Sequence, residues 1–302
     1  MSAATKARRS AALIVLAACS GRSNGRTTTL QDVEGHPVTI SHLPVQRIVS
    51  TNAAANEWLV LLGAANTLVA RTDYDRQPEL AKLPSIGGGM NPSAEGIMAL
   101  SPEVVVGWRD RSSLDLAHAI APFKIPVLSF ETTDTADALR NLELLGALVG
   151  REAKADSLAT DLRNGLAAVK RTACDSGTGA GESVFLVLWD DPPQTAGGGT
   201  WMTTLLETAC LRNVFADLTV PWGQVSIEAI TARQPDWILT STGKIPGQRL
   251  AEFKAKAGWR DLRAVQAGRI IEIPGDLFAR AGPTMPAAAR AIVAERRRIA
   301  GK

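Results

Sequence analysis

Tyrosine occurs once in this chain of 302 residues, at Tyr74, and histidine and cysteine occur three times each. His36, His42 and His118 are too few and too scattered for a zinc or manganese site built from several imidazoles. There is no Cys-x-x-Cys pair to mark a metal or redox centre, and no nucleophile sits beside a base in a catalytic pattern. No catalytic residue and no resident cofactor are therefore expected. Charge of one sign is also scarce. The formal net charge is +3, and only Arg296, Arg297 and Arg298 cluster, so nothing builds a nucleic-acid face. No run reaches the ~18 apolar residues of a spanning helix. Gly87-Gly88-Gly89 and Gly197-Gly198-Gly199 lack phosphate-loop spacing and read as flexible loops.

What is present describes an exported globular protein. Hydrophobic residues make up 45% and charged residues 21%, enough to bury a core in two ordinary domains. Lys6, Arg8 and Arg9 precede a short apolar stretch, and Leu16-Ala17-Ala18-Cys19 reads as a lipobox. Small residues suit a signal peptidase pocket, and the Cys19 thiol is the expected site of lipidation. The mature chain is then exported and held on the membrane by that lipid anchor. Cys174 and Cys210 remain, and export permits a disulfide between them without requiring one.

Apolar strands alternate with helical stretches, the pattern of an α/β fold with mainly parallel sheets. Ile48–Ser50, Thr67–Ala70, Val104–Gly107 and Val127–Phe130 are expected strands of a first half. Val184–Leu188, Trp237–Thr240 and Ile270–Ile273 are those of a second. Between them Leu139, Leu142, Leu145, Leu148, Leu158, Leu162, Leu166 and Val169 recur at helical spacing without proline. A continuous helix there would run ~50 Å, with Gly146 and Gly150 weakening its middle. The divisions expected are a signal peptide (1–19), a tether (20–28), a first lobe with a leading hairpin (29–135), a backbone helix (136–173) and a second lobe (174–302).

An internal repeat supports two similar lobes. The stretch from Ser93 to Val105 and that from Ser226 to Ile238 share serine, glutamate, isoleucine, alanine, proline, an acid and a strand entry, 133 residues apart. Each copy predicts a helix capped by serine, with an acid in its first turn, broken before proline and feeding a strand.

This arrangement resembles the helical-backbone class of periplasmic binding proteins, which serve importers of cobalamin, haem, iron–siderophores and some metal ions. Asn91-Pro92-Ser93-Ala94-Glu95 with Ala99-Leu100-Ser101-Pro102-Glu103, and Trp259 to Ile270, carry the resemblance. It implies two lobes with mainly parallel central sheets joined by one long helix, a small-molecule ligand in the cleft, and a permease dimer with ATPase subunits as partner. It also implies that Glu95 and Glu228, one on each lobe, dock onto permease arginines; a first-turn acid also serves the helix dipole alone. Val220-Pro221-Trp222-Gly223-Gln224, Thr72-Asp73-Tyr74, Gly107-Trp108-Arg109 and Asp276 to Arg280 resemble the ligand-contacting segments of the cobalamin-binding members.

The expected ligand is therefore a cobalamin-type corrinoid. Trp108 and Trp189 follow expected strands, Tyr74 lies just beyond one and Trp222 sits in a loop before a serine-capped helix. At such cleft-facing positions, where ligands of these folds bind, the four can grip a flat macrocycle. Asp276 and Arg280 are expected in a loop just after a strand, reaching polar groups on the ligand's rim or forming a surface ion pair. Trp58, Trp237 and Trp259 lie inside helix or strand patterns and read as core. Haem or a ferric siderophore is the alternative ligand. Haem would need Tyr74 as axial ligand, and an anionic siderophore would want Arg71, Arg76, Arg109 and Arg280.

Overall fold

The computed structural model describes residues 28–31, 36–40, 42–88, 92–175, 181–243, 245 and 247–301. The lipobox with Cys19, most of the expected tether and Glu34-Gly35, where the sequence predicts the hairpin's turn, lie outside the described residues. A leading hairpin pairs β1 (Thr28–Gln31) antiparallel with β2 (Pro37–Ile40). The first lobe follows with β3 (Ile48–Ser50), α1 (Ala53–Leu61), α2 (Ala94–Ala99), β4 (Val104–Trp108), α3 (Arg111–Ile120) and β5 (Val127–Phe130). Next come α4 (Thr135–Leu148) and α5 (Glu152–Asp175). The second lobe holds β6 (Ser183–Val187), β7 (Trp189–Asp190), β8 (Pro193–Ala196), α6 (Trp201–Thr208), β9 (Arg212–Asn213), β10 (Trp222–Gln224) and α7 (Ile227–Arg233). It ends with β11 (Trp237–Ser241), α8 (Gln248–Ala255), α9 (Arg263–Gln266), β12 (Ile270–Ile273), α10 (Gly275–Phe278) and α11 (Met285–Ala300).

Each lobe is built on a parallel sheet, ordered β3-β4-β5 in the first and β12-β11-β6-β9 in the second. Helices cover both faces of such sheets, so their strands are apolar throughout. Val104, Val105 and Val106 of β4 and Val184, Phe185 and Leu186 of β6 are all fully buried. The expected strand over Thr67–Ala70 is absent. Thr67 closes a 3₁₀ turn with the carbonyl of Ala64, and the segment meets β3 only through a single bridge, Ile48 to Leu68.

The helical stretch between the lobes is broken where glycine weakens it. Gly150 takes φ +65°, a left-handed conformation costly for any side chain, and separates α4 from α5. The helix that joins the lobes is therefore α5 alone, 24 residues and ~36 Å long. It packs on α4 at one side and on α6 and α11 at the other. Cys174 at its end is disulfide-bonded to Cys210 beyond α6, with Cα atoms 5.2 Å apart. Closing a loop of 36 residues stabilises the fold by roughly 4 kcal/mol, on the unfolded-chain entropy account.

Trp58, Trp237 and Trp259 are core residues, each at most 2% exposed. Trp259 stacks on Phe253 with ring centroids 4.5 Å apart, and Trp237 donates its indole N–H to Glu182 at 2.8 Å. The same Glu182 oxygen accepts from Arg296 of α11 at 2.7 Å, which ties the C-terminal helix to the second lobe.

Candidate functional site

A single exposed aromatic is ordinary on a protein surface, whereas several grouped together mark a candidate binding surface. Tyr74 is 57% exposed, Trp189 60% and Trp222 40%, while Trp108 is half-buried. Trp108 is the last residue of β4, at the carboxyl end of the first sheet. Trp189 follows the carboxyl end of β6 after a single residue. Tyr74 lies in a turn whose backbone is pinned by Asp75, which accepts from the Thr72 N–H at 2.6 Å and the Asn56 amide at 2.8 Å. The tyrosine ring lies beside Gly88, where a β-carbon would be in ordinary contact with it at 3.4 Å.

Trp222 is not in a loop, as the sequence suggests, but in β10. That strand joins β8 and β7 in a small antiparallel sheet ordered β10-β8-β7. Its register brings the second lobe's aromatics together. Trp189 lies opposite Gln194, Gln194 opposite Gln224, and Trp222 opposite Ala196. Directly opposed residues share a face, as do residues two apart on one strand. Trp189, Gln194, Gln224 and Trp222 therefore occupy one face, and all four are exposed. The reverse face is anchored. Asp190 points that way, with Lys256 Nζ 3.4 Å and Arg249 3.7 Å from its carboxylate, and Lys256 also donates to the Asp190 carbonyl at 2.7 Å. Of Gly197-Gly198-Gly199, expected as a flexible loop, Gly197 and Gly198 are close-packed at the end of this sheet, while Gly199 has open space and φ +74°. A β-carbon on Gly197 would fall 2.4 Å from the Val220 carbonyl oxygen, so only glycine lets the two backbones meet.

Sequence reasoning missed Gln194 and Gln224. The alternation Trp222-Gly223-Gln224 was the available signal, although a three-residue strand is too short to stand out.

Asp276 is exposed in α10, not in a loop, and its carboxylate accepts from the Leu277 N–H at 3.1 Å. Arg280, expected at the rim, is buried. Its guanidinium is paired with Glu57 of α1 and also donates to the Tyr74 carbonyl. Burial lifts the Glu57 carboxyl above its usual range; the Arg280 charge and hydrogen bond oppose the lift, and Asp75 and Asp276 add to it. The ion pair joins the segment after β12 to the helix after β3, so the carboxyl ends of the two sheets face one another. The other arginines each make a contact and stay at least partly exposed. Arg71 donates to the Thr72 carbonyl at 3.1 Å, Arg76 to the Asp73 carbonyl at 2.7 Å, and Arg109 pairs with Glu131 at 2.7 Å.

Glu95 and Glu228 are exposed in the first turns of α2 and α7, whose caps Ser93 and Ser226 accept from Gly96 and Ala229 N–H groups. Hydrogen bonds from its own backbone N–H and from Ser226 hold the Glu228 carboxyl below its ordinary range.

The chain thus forms two α/β lobes spanned by one long helix, and each lobe leaves aromatic side chains exposed. Residues 48–277 match the periplasmic binding protein family, and the chain belongs to it. It is a substrate-binding protein of an ABC transporter: a non-enzymatic component that works outside the cytoplasm with a small ligand and a permease. A Bacillus subtilis ABC transporter substrate-binding lipoprotein, YvrC, is 30% identical over 267 residues, covering 85% of this chain and 81% of that protein. The vitamin B12-binding protein of Photorhabdus laumondii is 29% identical over 245 residues, covering 80% and 85%. A periplasmic heme binding protein structure from Pseudomonas aeruginosa aligns with a TM-score of 0.72 and 26% identity, covering 83% and 92%.

Proposed function

We propose that this receptor captures a cobalamin-type corrinoid between its lobes and hands it to its permease. The carrying observation is the neutral aromatic wall of the second lobe: Trp189 and Trp222 flanking Gln194 and Gln224 on one exposed face. Indoles stack on the apolar surface of a macrocycle, and glutamine amides both donate to and accept from the carboxamides that fringe a corrin. Tyr74 and Trp108 supply the first lobe's side. Of the arginines an anionic siderophore would need, Arg280 is withdrawn into a buried pair with Glu57. Haem is the second reading, favoured by one observation: the only tyrosine is exposed and its hydroxyl can reach an iron. Absorption spectra and titration calorimetry with cyanocobalamin and with haemin separate the two. Cyanocobalamin binding supports the first reading. A Soret shift that disappears in Tyr74→Phe replaces it with the second.

Delivery follows from two matched carboxylates. Glu95 and Glu228, one on each lobe, suit arginines on two related permease subunits. Replacing both by alanine should abolish uptake and leave ligand affinity intact; an equal loss of affinity sinks the docking role. Cys19 carries the lipid anchor in this reading, so Cys19→Ser should release the protein from membranes, and unchanged partitioning into detergent counts against it.

A further inference from the structure

We infer that Arg280 is a positioning residue, a strut from the second lobe that sets where the Tyr74 turn stands and hence the shape of the ligand site. The inference rests on the reading of Tyr74 as a wall of that site. Arg280 and Glu57 are 223 residues apart in the chain, yet their side chains are only 9% and 8% exposed. Two charges are withdrawn from water only where geometry repays them. Here a planar fork with several donors holds two acceptors, the Glu57 carboxylate and the Tyr74 carbonyl.

The seat of the strut is shaped for it. A β-carbon on Gly282 would lie 3.3 Å from Ala54 Cβ and 3.8 Å from both Glu57 Oε2 and Trp58 Nε1. Ala54, Glu57 and Trp58 share one face of α1 by their spacing, so the segment after Arg280 rests on that face. The Tyr74 turn is thus held twice. Asn56 of α1 reaches it through Asp75, and Arg280 reaches it from the opposite lobe. Holding the tyrosine before a ligand arrives lowers the ordering cost of binding, and its loss should appear mainly as faster release.

Because Tyr74 is the only tyrosine, 3-fluorotyrosine labels one position and gives one fluorine NMR signal. Arg280→Lys retains a charge for Glu57 but cannot span both acceptors. Glu57→Leu with Arg280→Met replaces the ion pair with apolar groups of similar size, a change that commonly preserves folding. Either folded variant should move or broaden the fluorine signal without ligand, and weaken cyanocobalamin binding about tenfold through its off-rate. A wild-type signal, or a moved signal with unchanged affinity, overturns the role. If the wild-type protein ignores cyanocobalamin while the variants still move the signal, the strut stands and the corrinoid reading alone falls.

Discussion

The two lobes are one plan executed twice at the back and differently at the front. At the back the repeat extends to the backbone. Ser101 and Gln234, 133 residues apart, both take left-handed φ angles, 46° and 40°, before a proline. Arg47 donates to the carbonyls of Leu100 and Ser101, and Arg263 to that of Gln234. Glu103 accepts from the Gln46 N–H at 2.7 Å, and Asp236 from the Ser183 N–H at 2.9 Å, each acid joining neighbouring strands at their entry. At the front β3 runs almost directly into α1, capped by Asn52, whereas β6 passes through β7 and β8 before α6. The strand-entry end repeats its pattern in both lobes, whereas the strand-exit end is built differently in each.

The largest expected difference between the lobes lies in their cores. Trp237 corresponds to Val104 in the repeat, and both are buried. Trp237→Ala should cost about 3–5 kcal/mol and leave Glu182 with Arg296 as its partner, while Val104→Ala should cost about 2 kcal/mol. Urea unfolding measures both, and equal losses would break the comparison.

Next in size is ligand affinity. Truncating a buried aromatic anchor costs about 2 kcal/mol, so Trp222→Ala should weaken cyanocobalamin binding about thirtyfold. Titration calorimetry with Trp237→Ala as control tests this, since the core variant should keep its affinity when folded. Wild-type affinity in Trp222→Ala rejects the aromatic wall.

The left-handed residues offer a smaller and more exacting test. Ser101→Gly relieves backbone strain and should stabilise by up to about 1 kcal/mol. Gln234→Gly should gain less, because the Gln234 side chain accepts from the Arg263 N–H at 3.2 Å and would be lost. Equal gains in thermal unfolding would show that this bond contributes nothing.

The smallest effect is on pH dependence. Partial burial would raise the Asp236 carboxyl, but bonds from the Ser183 amide and hydroxyl outweigh it and leave it lowered. A lowered acid adds stability above its unfolded pKa of about 3.9, lost as pH falls through the folded value. Glu57 is raised, so its proton-linked contribution is present below about 4.3 and lost as pH rises through its folded value. Asp236→Asn should therefore flatten the acid limb of a stability–pH curve. An unaltered limb rejects that assignment.

Much of the back of the molecule was legible in the sequence. The serine caps, first-turn acids, prolines and buried strands are local signals, each set within a few residues by backbone hydrogen bonding and φ preference. The front was partly legible: Trp189 is exposed just beyond the exit of β6, as its position implies, whereas Tyr74 and Trp222 are exposed in a turn and in a short strand. The expected strand at Thr67–Ala70 failed because apolar composition alone does not supply a pairing partner.

The sequence by itself determined a repeated α/β lobe, its caps, the core tryptophans and the weak point at Gly150, because these depend on local chemistry and apolar periodicity. Only the tertiary structure decided that Cys174 meets Cys210, that Trp189 and Trp222 share a face with two glutamines, and that Arg280 is buried against Glu57 and not exposed at a rim. Those contacts join residues distant in the chain, and a side chain's partner across such a distance depends on strand register and helix packing, which no local pattern encodes.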